Sequence, residues 1–433
     1  MLKILENSWK IDELRSRILF TLAMVAVFRL GCQIPTPGVN PEAVGRLFEG
    51  QQGVLGFLNM FSGGALERFS VFSLGIAPYI NASIIMQLLV YVVPYLEKLQ
   101  KEEGSEGRKK INMYTKYFTV FLGALQALGI ATWLDTMQGI VLPSMTGWKF
   151  MMMAVITLTA GTSFIMWLGE QMTNKGIGNG MSLLITVGIL ATFPAAIVET
   201  LRVTDFSNIP DLARITAITV ICLFVVAAVV FIQDGVRKIP IQHARRNAGG
   251  GGGRTQGGLK SFIPLRVNMA GVIPLIFASS IMMFPPLIFQ WLQNRYPHEY
   301  WVKLSIWFAH THFVHMGIYA ILIIFFTYFY TAIQLNPTEM AENLKKYGGF
   351  IPGIRAGRKT ADFIDRIVTR ITLCGALFLA AVSLVPPLMS KYMSVTFYFG
   401  GTSLLIVVSV MLDTVRQMES YMVTRHYEGF MKS

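Results

Sequence analysis

Gly56–Pro94, GFLNMFSGGALERFSVFSLGIAPYINASIIMQLLVYVVP, is apolar enough to enter a bilayer but is broken in its first half. Gly63 and Gly64 interrupt a helix through backbone entropy. Glu67 and Arg68 place a charge pair where a lipid-facing helix holds one only at high cost. Downstream, Ser70–Leu96 is long enough to cross the hydrocarbon core, which needs about 20 residues. Gly56–Leu66 is then a surplus apolar half-helix, in line with a full span but separated from it. Broken backbone at membrane depth survives only where protein buries it or where it lines a wet cavity. The stretch therefore predicts a cavity and a short segment that fills it.

The composition agrees with a bilayer as solvent. The 433 residues are 53% hydrophobic and 14% charged, against about 25% charged in a soluble domain. Cys32, Cys222 and Cys374 lie far apart inside apolar segments and read as small core residues, with no disulfide framework and no metal spacing. The opening MLKILENSWKIDELRSR reads as an amphipathic entry helix rather than a cleaved signal.

Ten spans follow in order: 18–34, 70–96, 117–134, 150–169, 181–198, 215–233, 267–291, 314–335, 367–389 and 397–412. The formal net charge is +13, and Lys and Arg concentrate in both tails and in the loops after spans 2, 4, 6 and 8. That bias places both termini in the cytoplasm. Five spans, an external connection at 199–214, and five more predict an inverted repeat, since an odd count turns the second half over. The fold class is an all-α polytopic membrane protein: an N-terminal half over 1–198, a hinge, and a C-terminal half over 215–433, closing as a clamshell around a cavity.

Two basic loops exceed what antiparallel helices need. The first, 234–266, contains QDGVRKIPIQHARRNAGGGGGRTQGGLKSFIPLR and predicts a hairpin-like finger with a glycine-rich tip. The second, 336–366, contains NPTEMAENLKKYGGFIPGIRAGRKTADFIDR. Projecting loops of this kind bind partners or serve only as topology signals; paired apolar flanks favour binding.

Enzymatic readings find little footing. Ionisable residues are scarce within the spans, Arg29 being the clear case, placed near enough to an end to snorkel. No protease motif appears, GGGGGRT lacks the lysine of a phosphate-binding loop, and GIGNG (176–180) is turn chemistry. His310, His312 and His315 cluster without a carboxylate or cysteine, so no metal is expected. What remains is apolar. Ile80 and Ile84 lie one turn apart, as do Ile185 and Ile189, while Ile276 follows Pro274 and Ile406 sits in the last span. Singly, each reads as helix packing.

Six stretches together, FRLGCQIPTPGV (28–39), GIAPYINASIIMQLL (75–89), KGIGNGMSL (175–183), NMAGVIPLIFASSI (268–281), ENLKKYGGFIPGIRAG (342–357) and GTSLLIVVSVMLD (401–413), resemble the SecY family of bacterial protein-conducting channels over essentially the whole chain. Ala356, where proline is common, and the polyglycine run depart from the family pattern. The resemblance implies an hourglass channel whose waist is a ring of Ile80, Ile84, Ile185, Ile189, Ile276 and Ile406. It implies a plug at 56–66, including Leu58, Phe61, Gly63, Gly64 and Leu66. It also implies a lateral gate between spans 2/3 and 7/8, with Gln126 and Asn268 among its lining. The basic loops, through Arg237, Lys238, Arg245, Arg246, Arg355, Arg358 and Lys359, would dock the SecA motor or the ribosome. SecE would clamp the halves and SecG would lie at the periphery. Substrates would be signal peptides and unfolded polypeptides, passed across the cytoplasmic membrane or released into its lipids, with no catalytic residue and no cofactor. The rival readings are a secondary transporter, which the five-plus-five plan also permits but which needs intramembrane carboxylates or ion sites, and an insertase without a through-pore.

Overall fold

The computed structural model describes residues 11–48, 59, 62–101, 103–137, 139–203, 209–243, 261–296, 298–309, 312–393 and 401–431. Leu58, Phe61, Arg245, Arg246 and His310 lie outside the described residues. In order, the elements are α1 (Asp12–Gly31), α2 (Pro41–Phe48), α3 (Ala77–Val92), α4 (Pro94–Lys101), α5 (Gly104–Asp135), α6 (Trp148–Lys175), α7 (Gly180–Val203) and α8 (Ile209–Asp234). There follow β1 (Val236–His243), β2 (Ser261–Arg266), α9 (Ile273–Arg295), α10 (Glu299–Trp307), α11 (Phe313–Gln334), α12 (Pro337–Lys346), β3 (Gly349–Phe350), α13 (Arg358–Met393) and α14 (Gly401–Met431).

Each of the ten expected spans falls on one helix: α1, α3, α5 to α9, α11, α13 and α14. Among the described residues, α5, α6, α8, α11 and α13 are long and apolar enough to cross a membrane alone, while α7 and α9 carry shorter apolar stretches. The second span differs from expectation. Ser70 bridges to Pro35, 71–76 is turn, the helix holds only 16 residues, and α3 and α4 bend by 99° at Val93. Pro94 has no N–H to continue the ladder and disfavours helical backbone at Val93, which is extended at ψ 111. At 1.5 Å per residue α3 reaches only about 24 Å, so this span depends on its neighbours.

The helices pack as two groups. In one, α1 lies on α6 and α7, and α3, α5 and α6 pack mutually; in the other, α9, α11, α13, α14 and α8 form a continuous series. The groups meet where α3 touches α9 and where α7 touches α14. Small residues permit the close approaches, as membrane helix packing requires: Ala127, Ala131, Ala154 and Gly161 are all buried in the first group.

α3 and α9 share a sequence pattern that the reading above missed. Gly75–Met86 and Gly271–Met282 match at seven of twelve positions (Gly, Pro, Ile, Ala, Ser, Ile, Met). Both stretches open on a glycine of positive φ, 55° and 63°, and carry proline in the first helical turn. Each is the second of the five long helices in its group. They run in opposite directions, because α3 starts from the turn bonded to Ile34 and α9 starts at the other end, beside β2.

The two basic loops join into one body. β1 pairs antiparallel with β2 from Val236↔Arg266 to Ile241↔Ser261, as the flanking IPIQ and FIPL predict, and also with β3 at Gln242↔Phe350 and His243↔Gly349. The period-2 alternation directs Ile239 and Leu265 into a buried cluster with Ile351, Ile364 and Ile367, anchoring the sheet on α13.

Candidate functional site: an apolar collar between a polar cavity and a seated turn

Ile80 and Ile84 come from α3, Ile185 and Ile189 from α7, Ile276 from α9 and Ile406 from α14. All six are buried, none more than 9% exposed, and all six belong to one apolar cluster. Four helices from both packing groups thus contribute to one buried apolar cluster, and β-branching leaves each χ1 stiff.

Next to this cluster is a polar cavity of about 440 Å³. Its wall includes Asn179 and Ser182 before and on α7, Val272 and Ile273 at the start of α9, and Val410, Asp413, Thr414 and Gln417 on α14. One turn deeper along those same helices stand Ile185, Ile276 and Ile406. The cavity wall is stitched by hydrogen bonds. Gln233 donates to Ser409. Arg416 donates to the Gln233 carbonyl at 2.7 Å and to Asp234 at 2.6 Å. Burial pushes the Asp413 carboxyl up, opposed by Arg416 and Arg266 nearby.

Of the expected half-helix only 59 and 62–66 are described, and Asn59 is helical. Residues 62–69 are a knot of turns rather than a helix. Gly63 and Gly64 adopt φ of 71° and 81°, a left-handed backbone that glycine takes without penalty. Side chains replace the helical ladder: Asn59 Oδ1 accepts from Glu67 N–H at 3.0 Å, Ser62 Oγ accepts from Leu66 N–H at 3.2 Å, and Asn59 Nδ2 donates to Glu67 at 3.1 Å. The charged Glu67 is thereby tied down while Ala65 and Leu66 are buried. Ala65 joins the same cluster as the six isoleucines. A Cβ on Gly63 would stand 3.0 Å from Gly188 Cα, one residue before Ile189. Along α7, Ser182 lines the cavity, Ile185 follows one turn on, and the knot packs on Gly188, between Ile185 and Ile189.

The SecY family profile matches residues 70–415. The protein translocase subunit SecY of Aquifex aeolicus is 42% identical over the full length of both chains, and that of Escherichia coli K12 is 44% identical over 98% of this chain and 95% of its own. The chain belongs to the SecY family.

Solved structures agree at the level of fold. A protein-conducting channel matches with a TM-score of 0.66 at 18% identity, covering 95% of this chain and 93% of that one. A SecY structure whose plug domain is described as stabilising the closed state matches at 0.63 and 19%, and Sec61 in a canine ribosome–channel complex at 0.61 and 17%, both with the same coverage. The architecture is the SecY channel fold, built from multiple membrane helices.

The remaining SecY-type positions fall as follows. Asn268 sits in the turn before α9, lines the cavity, and donates through Nδ2 to the Gly271 carbonyl at 3.1 Å. Gln126 is half-buried on α5, which packs on α3, α4 and α6, so the two residues stand on elements that do not pack on one another. Arg237 and Lys238 are exposed on β1, with Lys238 Nζ 4.9 Å from the centre of the Phe262 ring. Arg355, Arg358 and Lys359 are exposed at the entry to α13. His312 caps α11, its Nδ1 accepting from Val314 N–H at 3.2 Å, and His315 is buried with its Nδ1 3.1 Å from the Phe308 carbonyl. The joining of β3 to β1 was not legible, because its only local signal is GGF in a turn-rich stretch.

Proposed function

We infer that this chain is the protein-conducting subunit of a membrane translocase, passing unfolded polypeptides across the bilayer and releasing apolar segments sideways into it. What supports this reading is that Ile80, Ile84, Ile185, Ile189, Ile276 and Ile406 are buried in one apolar cluster one turn from a polar cavity, with a glycine-hinged knot packed on Gly188 between two of them. A branched apolar ring gates by dewetting and yields around an extended chain without binding it. The knot, with the preceding residues from Gly56, is the plug. The contact between α3 and α9 is one seam of the lateral gate, and Asn268 at its mouth meets the entering segment. The three-stranded sheet and the turn at Arg355 face the cytoplasm and dock the SecA motor or the ribosome. SecE clamps the two halves and SecG sits peripherally. The halves, 1–198 and 215–433, hinge at 199–214, a plan supported by the matching starts of α3 and α9.

The test replaces Ile189 and Ile406 with serine in the reconstituted channel. A pore reading predicts a wetted constriction and a raised resting ion conductance. A packing reading predicts about 2–5 kcal/mol of lost stability per site and no leak. The second outcome overturns the collar.

A further inference from the structure

We propose that Arg29 is a positioning residue that latches the plug in its seat, an inference that rests on the plug assignment above. The sequence suggests an arginine near a helix end that snorkels away from the apolar layer. The structure assigns it otherwise. Arg29 is half-buried on α1, and its Nη1 donates to the Gly63 carbonyl at 2.9 Å. Among the described residues no carboxylate lies within ion-pair distance of it. One turn further along α1, the Cys32 thiol donates to the adjacent Ser62 carbonyl at 3.9 Å. Two residues on one face of α1 therefore hold two consecutive carbonyls of the knot.

The rest of the knot's hydrogen bonding explains why these ties matter. Its C-terminal side is fixed to its surroundings, with Thr36 N–H donating to Phe69 and Val71 N–H to Ile34. Its N-terminal side bonds to itself, with Gly64 N–H and the Ser62 hydroxyl both donating to the Asn59 carbonyl at 2.9 Å. Among the described residues, the hydrogen bonds that tie Ser62 and Gly63 to another part of the chain come from Cys32 and Arg29, and Arg29 supplies the charged grip. A guanidinium in a low-dielectric setting needs an acceptor. When the knot leaves, water must replace the Gly63 carbonyl. The latch therefore favours the seated plug in a dry channel and releases it once the constriction is wet, which is a bias on a two-state element.

The experiment uses the full chain with its partner subunits in planar bilayers, comparing wild type, Arg29→Met, deletion of 56–66, and both together. Arg29→Met is expected to raise resting ion conductance about tenfold, the scale of losing one charge-assisted hydrogen bond. The double variant is expected to leak no more than the deletion alone, because a latch acts only through what it holds. Arg29→Lys keeps a cationic donor and restores most of the closure. A leaking deletion with a tight Arg29→Met channel overturns the latch and spares the plug. An equal rise from Arg29→Met with and without the plug also overturns it, making Arg29 a wall residue. A tight deletion channel removes the plug reading and the latch with it. Should Arg29→Met fail to insert, Arg29→Gln takes its place under the same outcomes.

Discussion

Arg355 shows what a single side chain adds beyond its charge. The turn that carries it is pinned from within: Thr360 Oγ1 donates to the Arg355 carbonyl at 3.0 Å, Ile354 N–H donates to Ile351, and Ile351 is buried under the sheet. The guanidinium therefore projects from a stiff base, suited to forked contacts with a partner's carboxylates or phosphates. Arg355→Lys keeps the charge and loses the fork. Motor-driven translocation into vesicles is expected to fall at least tenfold, with membrane insertion and thermal stability near wild type. Full activity for Arg355→Glu would reduce the loop's charge to a topology signal. At this scale the sequence named the residue but not its setting. Arg29 makes the same point more sharply, since its acceptor lies 34 residues away and is a backbone atom.

Among the elements, α12 and the three-stranded sheet join two separate loops into one body. α12 forms because Asn336 caps it, its Oδ1 accepting from Thr338 N–H at 3.2 Å and Glu339 N–H at 3.4 Å, with Pro337 opening the helix and Lys345 and Lys346 facing the negative end of its dipole. Asn336→Ala should cost about 1 kcal/mol locally. Amide exchange over 337–346 is expected to accelerate roughly fivefold while α11 and α13 stay protected. Unchanged exchange would mean that β3 and the packing on α13 hold the helix without its cap. The cap was legible as an N-P-T-E start. The β1–β3 pairing was not, because it joins segments about a hundred residues apart through two residue pairs.

For the molecule as a whole, the junction between the two packing groups at the cavity depends on Gly178. This residue, in the turn between α6 and α7, has φ 79°, and its N–H donates to Gln417 Oε1 on α14 at 2.9 Å. A Cβ there would stand 3.0 Å from Thr414 Oγ1. Gly178→Ala therefore pays left-handed strain of about 1–2 kcal/mol and crowds α14. Gln417→Ala loses one hydrogen bond, worth about 1 kcal/mol. Both should loosen the contact between the two packing groups, raising resting conductance and lowering the melting temperature in detergent, Gly178→Ala more than Gln417→Ala. Equal, unaltered conductance in both would show that the groups are held elsewhere, at α3 and α9.

The sequence by itself determined the solvent of the fold, its helical segments and the break at Gly63–Gly64. Each of these is a local matter of desolvation and backbone preference, decided within one turn or one span. Even the repeat between Gly75–Met86 and Gly271–Met282 stands in the sequence, seven matches at a fixed offset. Only the tertiary structure decided that 62–69 is a side-chain-braced knot, that α3 stops at 16 residues, that six isoleucines from four helices join one buried cluster, and that Arg29 faces a carbonyl. Those outcomes depend on which distant surfaces meet, and an isoleucine or an arginine has the same local energetics whether it faces lipid, a neighbouring helix or the axis of a channel.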